Sequence, residues 1–339
     1  MRFPFSLTRS LTGYLLRKRL RGEKRFPLVL MLEPLFACNL SCAGCGRVRE
    51  YADAVDRRMT VDECLSSVDE CGAPVVSICG GEPLIYDGIE SLTASVIARR
   101  KHVYLCTNGL RLAAMAPGFR PSTRLFFNVH LDGMEATHDR AVQRDGVFRK
   151  AIEGIVAAKK AGFQVCTNTT IYKETDMNEV VVLLEYLTQL GVDGFILSPS
   201  YGYEAVRCDA ALDSDRLFMS RDESHDKFRS VRSQLERFRL MSSPIYLDFL
   251  CGLRTLDCAA WANPTRNVVG WKGPCYLVTD AHYATFRELI EATPWDAMGP
   301  GRDPRCAHCL MHCGFEPAAV LAANSRLRDA WTMAKWQLS

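Results

Sequence analysis

Residues 28–46, LVLMLEPLFACNLSCAGCG, decide the fold of this chain. The apolar run at 28–32 predicts a β-strand. It leads into a loop with three cysteines, Cys38, Cys42 and Cys45, at the spacing C-x3-C-x2-C. Three thiols in one short loop do not form a disulfide framework, because pairing leaves one over. They can hold three irons of a cubane iron–sulfur cluster and leave a fourth iron free for a ligand, whereas zinc sites usually show paired C-x2-C elements or a histidine.

Composition sets the class of protein and its compartment. The chain has 339 residues, of which 48% are hydrophobic and 24% charged, as expected of a globular protein. The net charge of +3 is too small to indicate a nucleic-acid partner. Fifteen cysteines, with no evident signal peptide, favour a reducing cytoplasm and metal ligation over disulfides. We find no apolar run of transmembrane length.

Beyond the cysteine loop, apolar runs alternate with helical patterns. We predict six strands, at residues 28–32, 75–78, 103–106, 125–131, 165–171 and 195–197, with helices between them at, for example, 61–71, 148–160 and 178–190. This alternation predicts βαβ units and a parallel sheet of the α/β class. The pattern alone does not separate an open six-unit barrel from a doubly wound sheet. The alternation stops near residue 199, so we predict three parts: 1–26, a barrel at 27–198, and a capping, cysteine-rich C-terminal region at 199–339.

The N-terminal segment carries much positive charge. Residues 1–25 have one acid, Glu23, and eight basic residues: Arg2, Arg9, Arg17, Lys18, Arg19, Arg21, Lys24 and Arg25. Apolar residues recur near helical spacing at Leu7, Leu11, Tyr14, Leu15 and Leu20. This pattern is typical of a basic amphipathic helix on an anionic bilayer, which would make the protein peripheral on the inner face of the membrane. The alternative is a helix that packs its leucines on the barrel.

A second motif, Gly80-Gly81-Glu82-Pro83, follows the second predicted strand. In a parallel sheet, the loops beyond the carboxyl ends of the strands form the active face. Two glycines permit close backbone approach to a ligand, and Glu82 with nearby backbone carbonyls offers acceptors for an ammonium group. The alternative is a tight strand-to-helix turn.

The two motifs together resemble those of the radical S-adenosylmethionine (SAM) family. The resemblance implies a partial (β/α)6, TIM-like barrel, with a [4Fe–4S] cluster whose open iron chelates SAM. It implies that the cluster cleaves SAM to a 5′-deoxyadenosyl radical, using electrons from a flavodoxin-type or ferredoxin-type donor. It further implies that the Gly80–Pro83 motif contacts the amino group of SAM.

Polar residues at further strand ends are candidates for the SAM carboxylate and ribose, because family members commonly use such positions. The candidates are Asn108, His130 and Asp132, with Asn168 and Ser198 as weaker ones. In the alternative interpretation, Asp132 caps a turn and His130 is a core histidine with its hydrogen bonds satisfied.

A second cysteine set lies near the C-terminus. It comprises Cys275 and the C-x2-C-x3-C run of Cys306, Cys309 and Cys313. These four thiols can complete an auxiliary iron–sulfur cluster or can bind zinc, with His308 or His312 substituting for a thiol. A metal-free, thiol-rich loop is the third interpretation, and Cys258 is an alternative fourth ligand.

Longer phrases resemble one group within the family. SICGGEPL, VYLCTNG, VHLDG and CAHCLMHCGFEPAAV are similar to the hopanoid-biosynthesis radical SAM proteins, the HpnH or adenosylhopane synthase group. That resemblance implies addition of the 5′-deoxyadenosyl radical to the alkene of a hopene-type triterpenoid, diploptene, followed by hydrogen-atom donation from Cys106. The alternative role for Cys106 is that of a small buried hydrophobe. Other candidates are a divergent enzyme acting on another terpenoid, lipid or peptide, and a non-catalytic metal scaffold.

Overall fold

One nine-stranded sheet organises the computed structural model, which describes residues 4–207, 214–323 and 327–338. The strands are β1 Val29–Glu33, β2 Val75–Ile78, β3 His102–Thr107, β4 Leu125–His130, β5 Gln164–Ile171, β6 Gly194–Pro199, β7 Thr265–Asn267, β8 Trp271–Pro274 and β9 Thr279–Tyr283. Their order in the sheet is β6-β5-β4-β3-β2-β1-β7-β8-β9. The six predicted strands are therefore confirmed as neighbours in chain order.

Helices connect and cover the strands. They are α1 Phe5–Leu20, α2 Arg47–Glu50, α3 Val61–Cys71, α4 Ile89–Ala98, α5 Leu112–Met115, α6 Glu135–Ala141, α7 Val147–Lys160, α8 Met177–Gln189, α9 Glu204–Arg207, α10 Ser214–Leu217, α11 Arg221–Ser230, α12 Arg232–Leu235, α13 Pro244–Leu250, α14 Phe286–Ala292, α15 His312–Ala323 and α16 Leu327–Leu338. Short 3-10 helices lie at Ala52–Ala54, Pro83–Ile85, Ala116–Gly118, Ala260–Ala262, Trp295–Ala297 and Pro304–Cys306.

The parallel part of the sheet is wound in one direction. Strands β1 to β6 pair parallel, each with the next in the chain. A doubly wound sheet would reverse its strand order at a switch point, and no such reversal occurs between β1 and β6. With right-handed crossovers, this order puts the connecting helices on one face of the sheet. The strand side chains that point away from those helices form the other face. It favours the predicted partial barrel over a doubly wound sheet.

The C-terminal region extends the same sheet. Strand β7 pairs parallel with β1, and β8 and β9 follow it as antiparallel neighbours. The residues after 199 therefore reach back to the strand that precedes the first cysteine loop. The boundary at residue 198 remains a prediction, although the sheet is continuous across the regions on either side of it.

Helix α1 packs at the end of the sheet opposite the cysteine loop. Its buried residues are Leu7, Tyr14 and Leu15, and Tyr14 lies edge-on to Phe26 with ring centroids 5.9 Å apart. Phe26 precedes β1 and therefore lies at the amino ends of the strands, whereas the cysteine loop follows their carboxyl ends. The structure supports the alternative in which the helix packs its apolar residues on the protein.

The position of α1 does not support the idea that this helix delivers a substrate from the membrane to the active face. Leu20 is 78% exposed, and Arg2 lies outside the described residues. No helix in the described ranges is long and apolar enough to cross a membrane. Contact with a bilayer through α1 therefore remains a prediction, and it would hold the carboxyl ends of the strands away from the lipid.

Candidate active site

The first cysteine loop joins β1 to α2 and is held in place by an arginine. The Arg49 guanidinium donates to the carbonyl oxygens of Cys42 and Cys45 at 3.1 and 2.8 Å. Burial raises the pKa of Cys38 to about 11, and burial together with the neighbouring Cys45 thiol raises the pKa of Cys42. The thiols are thus half-buried and close enough to influence one another, as a shared cluster requires. Because iron binds thiolates, cluster loading must release these protons.

Two glycines let the second motif pack directly on the cysteine loop. A Cβ at Gly80 would lie 2.4 Å from the carbonyl oxygen of Leu35, and one at Gly81 would lie 1.9 Å from that of Ala37. Gly80 also has a φ of +105°, which disfavours other residues. The amide of Glu82 donates to Ala37 O at 2.9 Å. The two predicted cofactor motifs therefore form one unit.

Glu82 has a structural role that the sequence did not predict. Its side chain is buried, and it accepts hydrogen bonds from Thr107 Oγ1 at 2.7 Å, Asn108 N at 2.8 Å and Leu84 N at 2.9 Å. Burial raises the pKa of the carboxyl group, against the effect of these donors. The carboxylate ties the loop after β2 to the end of β3. Two of these donors reach Oε1 and one reaches Oε2, so a carboxylate with about four acceptor positions keeps one of them, and the role of Glu82 towards the ammonium group of SAM stays a prediction.

Asn108 reaches the cysteine loop from the end of β3. Its Nδ2 donates to Asn39 Oδ1 at 2.7 Å and lies 4.0 Å from Cys38 Sγ. The structure therefore brings this predicted residue next to the first cysteine set. Asn39, between the cysteines, was not singled out from the sequence, because a lone asparagine in a loop usually indicates only a turn.

His130 and Asp132 form a pair at the end of β4. His130 Nε2 and Asp132 Oδ2 are 2.8 Å apart, and Asp132 also accepts from Thr170 N at 2.8 Å. Burial opposes charge on both groups, but their mutual attraction outweighs it, so the pKa of His130 is raised and that of Asp132 is lowered. His138 Nδ1 accepts from Asp132 N at 3.1 Å. The Asp132 carboxylate thus joins His130 at the end of β4 to the backbone of β5.

The two weaker candidates continue this polar row towards the second cysteine set. Asn168 Nδ2 lies 3.5 Å from His130 Nδ1, and Ser198 Oγ donates to Asn168 Oδ1 at 3.1 Å. Ser198 Oγ is also 3.0 Å from Nδ1 of His312. The row therefore crosses β4, β5 and β6 and ends at α15. His312, which the sequence suggested as a possible zinc ligand, therefore has Ser198 as a hydrogen-bond partner.

Cys106 lies in a row of polar side chains across β2 to β5. Its Sγ is 3.5 Å from Ser77 Oγ and accepts from Asn128 Nδ2 at 3.5 Å. Asn128 Oδ1 in turn accepts from Cys166 Sγ at 3.5 Å. Burial raises the pKa of Cys106, so the group stays a thiol at neutral pH. The Cys106 thiol is thus half-buried and has polar neighbours, and its role as a hydrogen-atom donor stays a prediction.

The second cysteine set gathers around one cavity. The cavity is bordered by five thiols, those of Cys258, Cys275, Cys306, Cys309 and Cys313. All four predicted residues are therefore brought together, and the alternative ligand Cys258 joins them. In the described part of the chain, no three His, Cys, Asp or Glu side chains converge tightly enough to hold a single metal ion. The thiols are spread around the cavity instead.

A buried ion pair between the two cysteine sets was missed from the sequence. Glu33, at the end of β1, and Arg47, two residues after Cys45, are both buried, with 3.6 Å between Oε2 and Nη1. The Arg47 guanidinium lies against the rings of Tyr203 and Tyr276, 5.1 and 4.5 Å from the centroids. The available signal was a charge at the end of an otherwise apolar strand.

Aromatic side chains that could line an apolar pocket for a triterpenoid fall into two groups. Most are core residues with at most 1% exposure: Phe126, Phe127, Phe195, Tyr246, Phe249 and Trp271. Tyr201, Tyr203 and Tyr276 instead pack with residues of the second cysteine set. The core group cannot line a substrate pocket, because its side chains already fill the protein interior.

The chain matches known families over two segments. Residues 32–187 match the family model of the radical SAM superfamily, and residues 195–333 match that of a domain of unknown function (DUF3463). Fold and site together define a SAM-dependent iron–sulfur enzyme class. Residues 32–187 belong to the radical SAM superfamily.

Curated relatives match about half of this chain. A GTP 3′,8-cyclase of Helicobacter pylori is 32% identical over 156 residues, 44% of this chain and 48% of the relative. A GTP 3′,8-cyclase of Campylobacter fetus is 28% identical and covers 45% and 50%. An AdoMet-dependent heme synthase of Methanosarcina barkeri is 29% identical and covers 49% and 48%. The chain thus spans about half the length of these relatives, and they give no support to the hopanoid group in particular.

Solved structures share the fold. Streptococcus suis SuiB aligns with a TM-score of 0.62 at 12% identity, covering 93% of this chain and 78% of that one. The structure of anSMEcpe with bound AdoMet aligns with a TM-score of 0.53 at 16% identity, covering 80% and 82%.

The predicted cofactors, a [4Fe–4S] cluster and SAM, are confirmed as those of this superfamily. The half-buried cysteine loop fits the cluster, and Cys38, Cys42 and Cys45 would hold it. The cluster, when bound with SAM, supplies the electron that cleaves SAM. Radical SAM enzymes also need a reducing electron donor, as predicted.

Proposed function

We propose that this chain uses SAM as a co-substrate, adding a 5′-deoxyadenosyl group to an alkene and completing the product with a hydrogen atom from Cys106. The observation that carries the proposal is the position of Cys106. Its thiol lies in the same polar row as Ser77 and Asn128, two residues before Asn108, which reaches the cysteine loop. A hydrogen donor is therefore close to the place where the resemblance puts the radical.

The protein's own part in the reaction is binding and hydrogen transfer. The Gly80–Pro83 motif, Asn108 and the His130–Asp132 pair provide polar groups for SAM. When the acceptor carries a carbon radical, the S–H bond of Cys106 breaks and a C–H bond forms, which leaves a thiyl radical. One electron from the external donor and one proton from solvent restore the thiol. The raised pKa of Cys106 helps, because a thiolate has no hydrogen atom to give.

A hopene-type triterpenoid such as diploptene is the first acceptor to test, on the resemblance of the quoted motifs. The wider proposal, another terpenoid, lipid or peptide acceptor, has the better support, because the relatives' names carry no hopanoid activity. The polar rows through Asn128 and Asn168 also suit an acceptor with polar groups. We propose peripheral membrane contact only for the case in which the acceptor is a hopene.

The experiment is an anaerobic reaction of reconstituted enzyme with SAM, dithionite and diploptene in D2O, followed by mass spectrometry. We expect a product heavier than diploptene by one deoxyadenosyl group and one deuterium. Cys42→Ala should abolish SAM cleavage. Cys106→Ala should keep SAM cleavage but lose most of the saturated adduct, while the neighbouring Cys166→Ala, the matched control, should retain it.

Two results would contradict parts of the proposal. An equal yield of the same labelled adduct from Cys106→Ala would remove the donor role. Free 5′-deoxyadenosine without an adduct would exclude diploptene and direct the search to polar alkenes and peptides.

A further inference from the structure

The five-thiol cavity lies outside the SAM-side residues and is built from separate parts of the C-terminal region. Cys258 precedes the 3-10 helix Ala260–Ala262, Cys275 follows β8, and Cys306, Cys309 and Cys313 come from one stretch that leads into α15. Three distant segments thus each bring sulfur to the same cavity. Packing alone does not require this, since any small apolar side chain would fill such positions.

Cys258 borders the cavity next to Gly314. The four thiols of the predicted set, Cys275, Cys306, Cys309 and Cys313, border the same cavity. A Cβ on Gly314 would lie 2.5 Å from Cys258 Sγ, so the glycine leaves room for that sulfur. Cys258, the alternative fourth ligand named from the sequence, therefore lines the same cavity as the four predicted thiols.

Cys275 has the surroundings of a cluster ligand. Its Sγ accepts from the backbone amides of Leu277 and Val278, both at 3.4 Å. Such N–H···S hydrogen bonds stabilise a thiolate and tune the potential of iron–sulfur clusters. Leu277, Val278 and Phe315 also border the cavity and give it an apolar wall, which is the kind of environment that limits solvent access to a cluster.

We propose that this cavity binds a second iron–sulfur cluster, with Cys258 and Cys275 as two ligands and the Cys306–Cys313 run supplying the other two. Four thiols lose their protons to solvent as the cluster binds. All four irons then have protein ligands, so this cluster leaves no iron free for SAM. A single zinc ion would draw its ligands to about 2.3 Å from one point, whereas these thiols surround a cavity.

The test uses the full chain with the first set removed, Cys38→Ala/Cys42→Ala/Cys45→Ala, so that it does not depend on the proposed function. After anaerobic reconstitution with iron and sulfide, we expect about four irons and four sulfides per chain, with a cubane Mössbauer signature. Adding Cys258→Ala should change the cluster's spectrum, because a different thiol must replace it, and adding Cys258→Ala with Cys275→Ala should lower the iron content by more than half. Adding Cys251→Ala, a buried thiol of the same region outside the cavity, should leave it unchanged.

The outcomes separate clearly. Unchanged iron and spectrum after Cys258→Ala would overturn the ligand assignment, as would the absence of iron from the triple variant. Binding of about one zinc per chain in place of iron would also overturn the proposal. Circular dichroism checks the fold of each variant, and Cys258→Ser replaces Cys258→Ala if the alanine chain does not fold. SAM cleavage in the unmodified chain is measured separately and tests only the first set.

Discussion

Arg47 Nη2 donates a 2.7 Å hydrogen bond to the carbonyl oxygen of Tyr276, which joins the segment after the first cysteine set to the residue after Cys275. The same guanidinium pairs with Glu50 at 2.9 Å and lies 3.6 Å from Glu33. Lys272, fully buried, also pairs with Glu50 at 2.9 Å. A buried network of two acids and two bases therefore connects β1, α2 and β8.

Replacing Arg47 should destabilise the protein strongly. Arg47→Met leaves the buried Glu33 without its paired cation, while Glu50 keeps Lys272, and breaking a buried pair by removing one partner costs about 3–5 kcal/mol. Adding Glu33→Gln should recover part of this loss, because it removes a buried carboxylate whose pKa burial already raises. Denaturant unfolding of the single and double variants measures both effects.

The control for Arg47 is an exposed pair. Arg287→Ala removes a partner of Glu291 on the surface of α14, where water and salt screen the pair, so its loss should change stability little. If Arg47→Met were no more destabilising than Arg287→Ala, the buried network would not hold the two cysteine regions together.

Gly81→Ala should disable the first cysteine set. The new Cβ would lie 1.9 Å from the carbonyl oxygen of Ala37, a backbone atom that cannot rotate away. The loop carrying Cys38 must therefore move, and a displacement of about 1 Å near the reacting centre can cost about 100-fold in rate. The rate of SAM cleavage and the iron content per chain measure the effect.

Gly13→Ala is the matched control for Gly81→Ala. No heavy atom lies within 4 Å of a Cβ at Gly13, which is within α1. Alanine is favoured over glycine in a helix by roughly 0.8–1 kcal/mol, so this variant should be slightly more stable and equally active. Normal iron content and SAM cleavage in Gly81→Ala would show that the two loops do not need this close contact.

Some elements of this fold can be predicted from local sequence signals alone. The strand at 75–78 and the helix at 61–71 were predicted with the bounds that the structure has. The helix is bounded by a capping box between Thr60 and Glu63 and by Gly72 in the left-handed conformation, both of which are local signals. Glycine pairs and cysteine spacing are local signals too, so the first cofactor loop could be predicted.

Other features depend on contacts between distant segments. Strands β7 and β8 are three and four residues long, with sequences TRN and WKGP, and carry no apolar alternation. Only their pairing with β1 and with each other makes them strands. Likewise, the pairing of Glu33 with Arg47 and the position of Cys258 among four other thiols arise from tertiary structure. Tertiary context decides such positions, and local propensity does not.

Glu82→Gln should weaken SAM binding while leaving the cluster in place. The carboxylate accepts from Asn108 N at 2.8 Å, and a glutamine would direct an NH2 group at one of its donors. An unsatisfied buried donor costs about 1–3 kcal/mol, and Asn108 would shift. We expect a raised KM for SAM with unchanged iron content. Glu153→Gln, in an exposed pair with Lys150, is the control, and an unchanged KM in Glu82→Gln would contradict the positioning role.

Glu316→Gln should stabilise the protein at alkaline pH and have little effect in acid. Burial raises the pKa of Glu316 from 4.5 to about 7, because only one carboxylate oxygen is hydrogen-bonded, by Ser243 N at 2.9 Å. The folded state therefore holds the proton more tightly than the unfolded state. The stability that Glu316 contributes is therefore fully present below pH 4.5 and is lost as the pH rises to about 7. Glutamine does not ionise and avoids that loss.

The measurement is the difference in Tm between Glu316→Gln and wild type at pH 5 and pH 8, both reconstituted in the same way. At about 1.4 kcal/mol per pKa unit, the difference should be larger at pH 8 by about 3 kcal/mol or less, or several degrees. Glu63→Gln should show the opposite sign, because hydrogen bonds from Thr60 lower the pKa of Glu63 and its stabilisation is lost in acid. A pH-independent difference for Glu316→Gln would mean that the Glu316 carboxyl group titrates alike in the folded and unfolded chains.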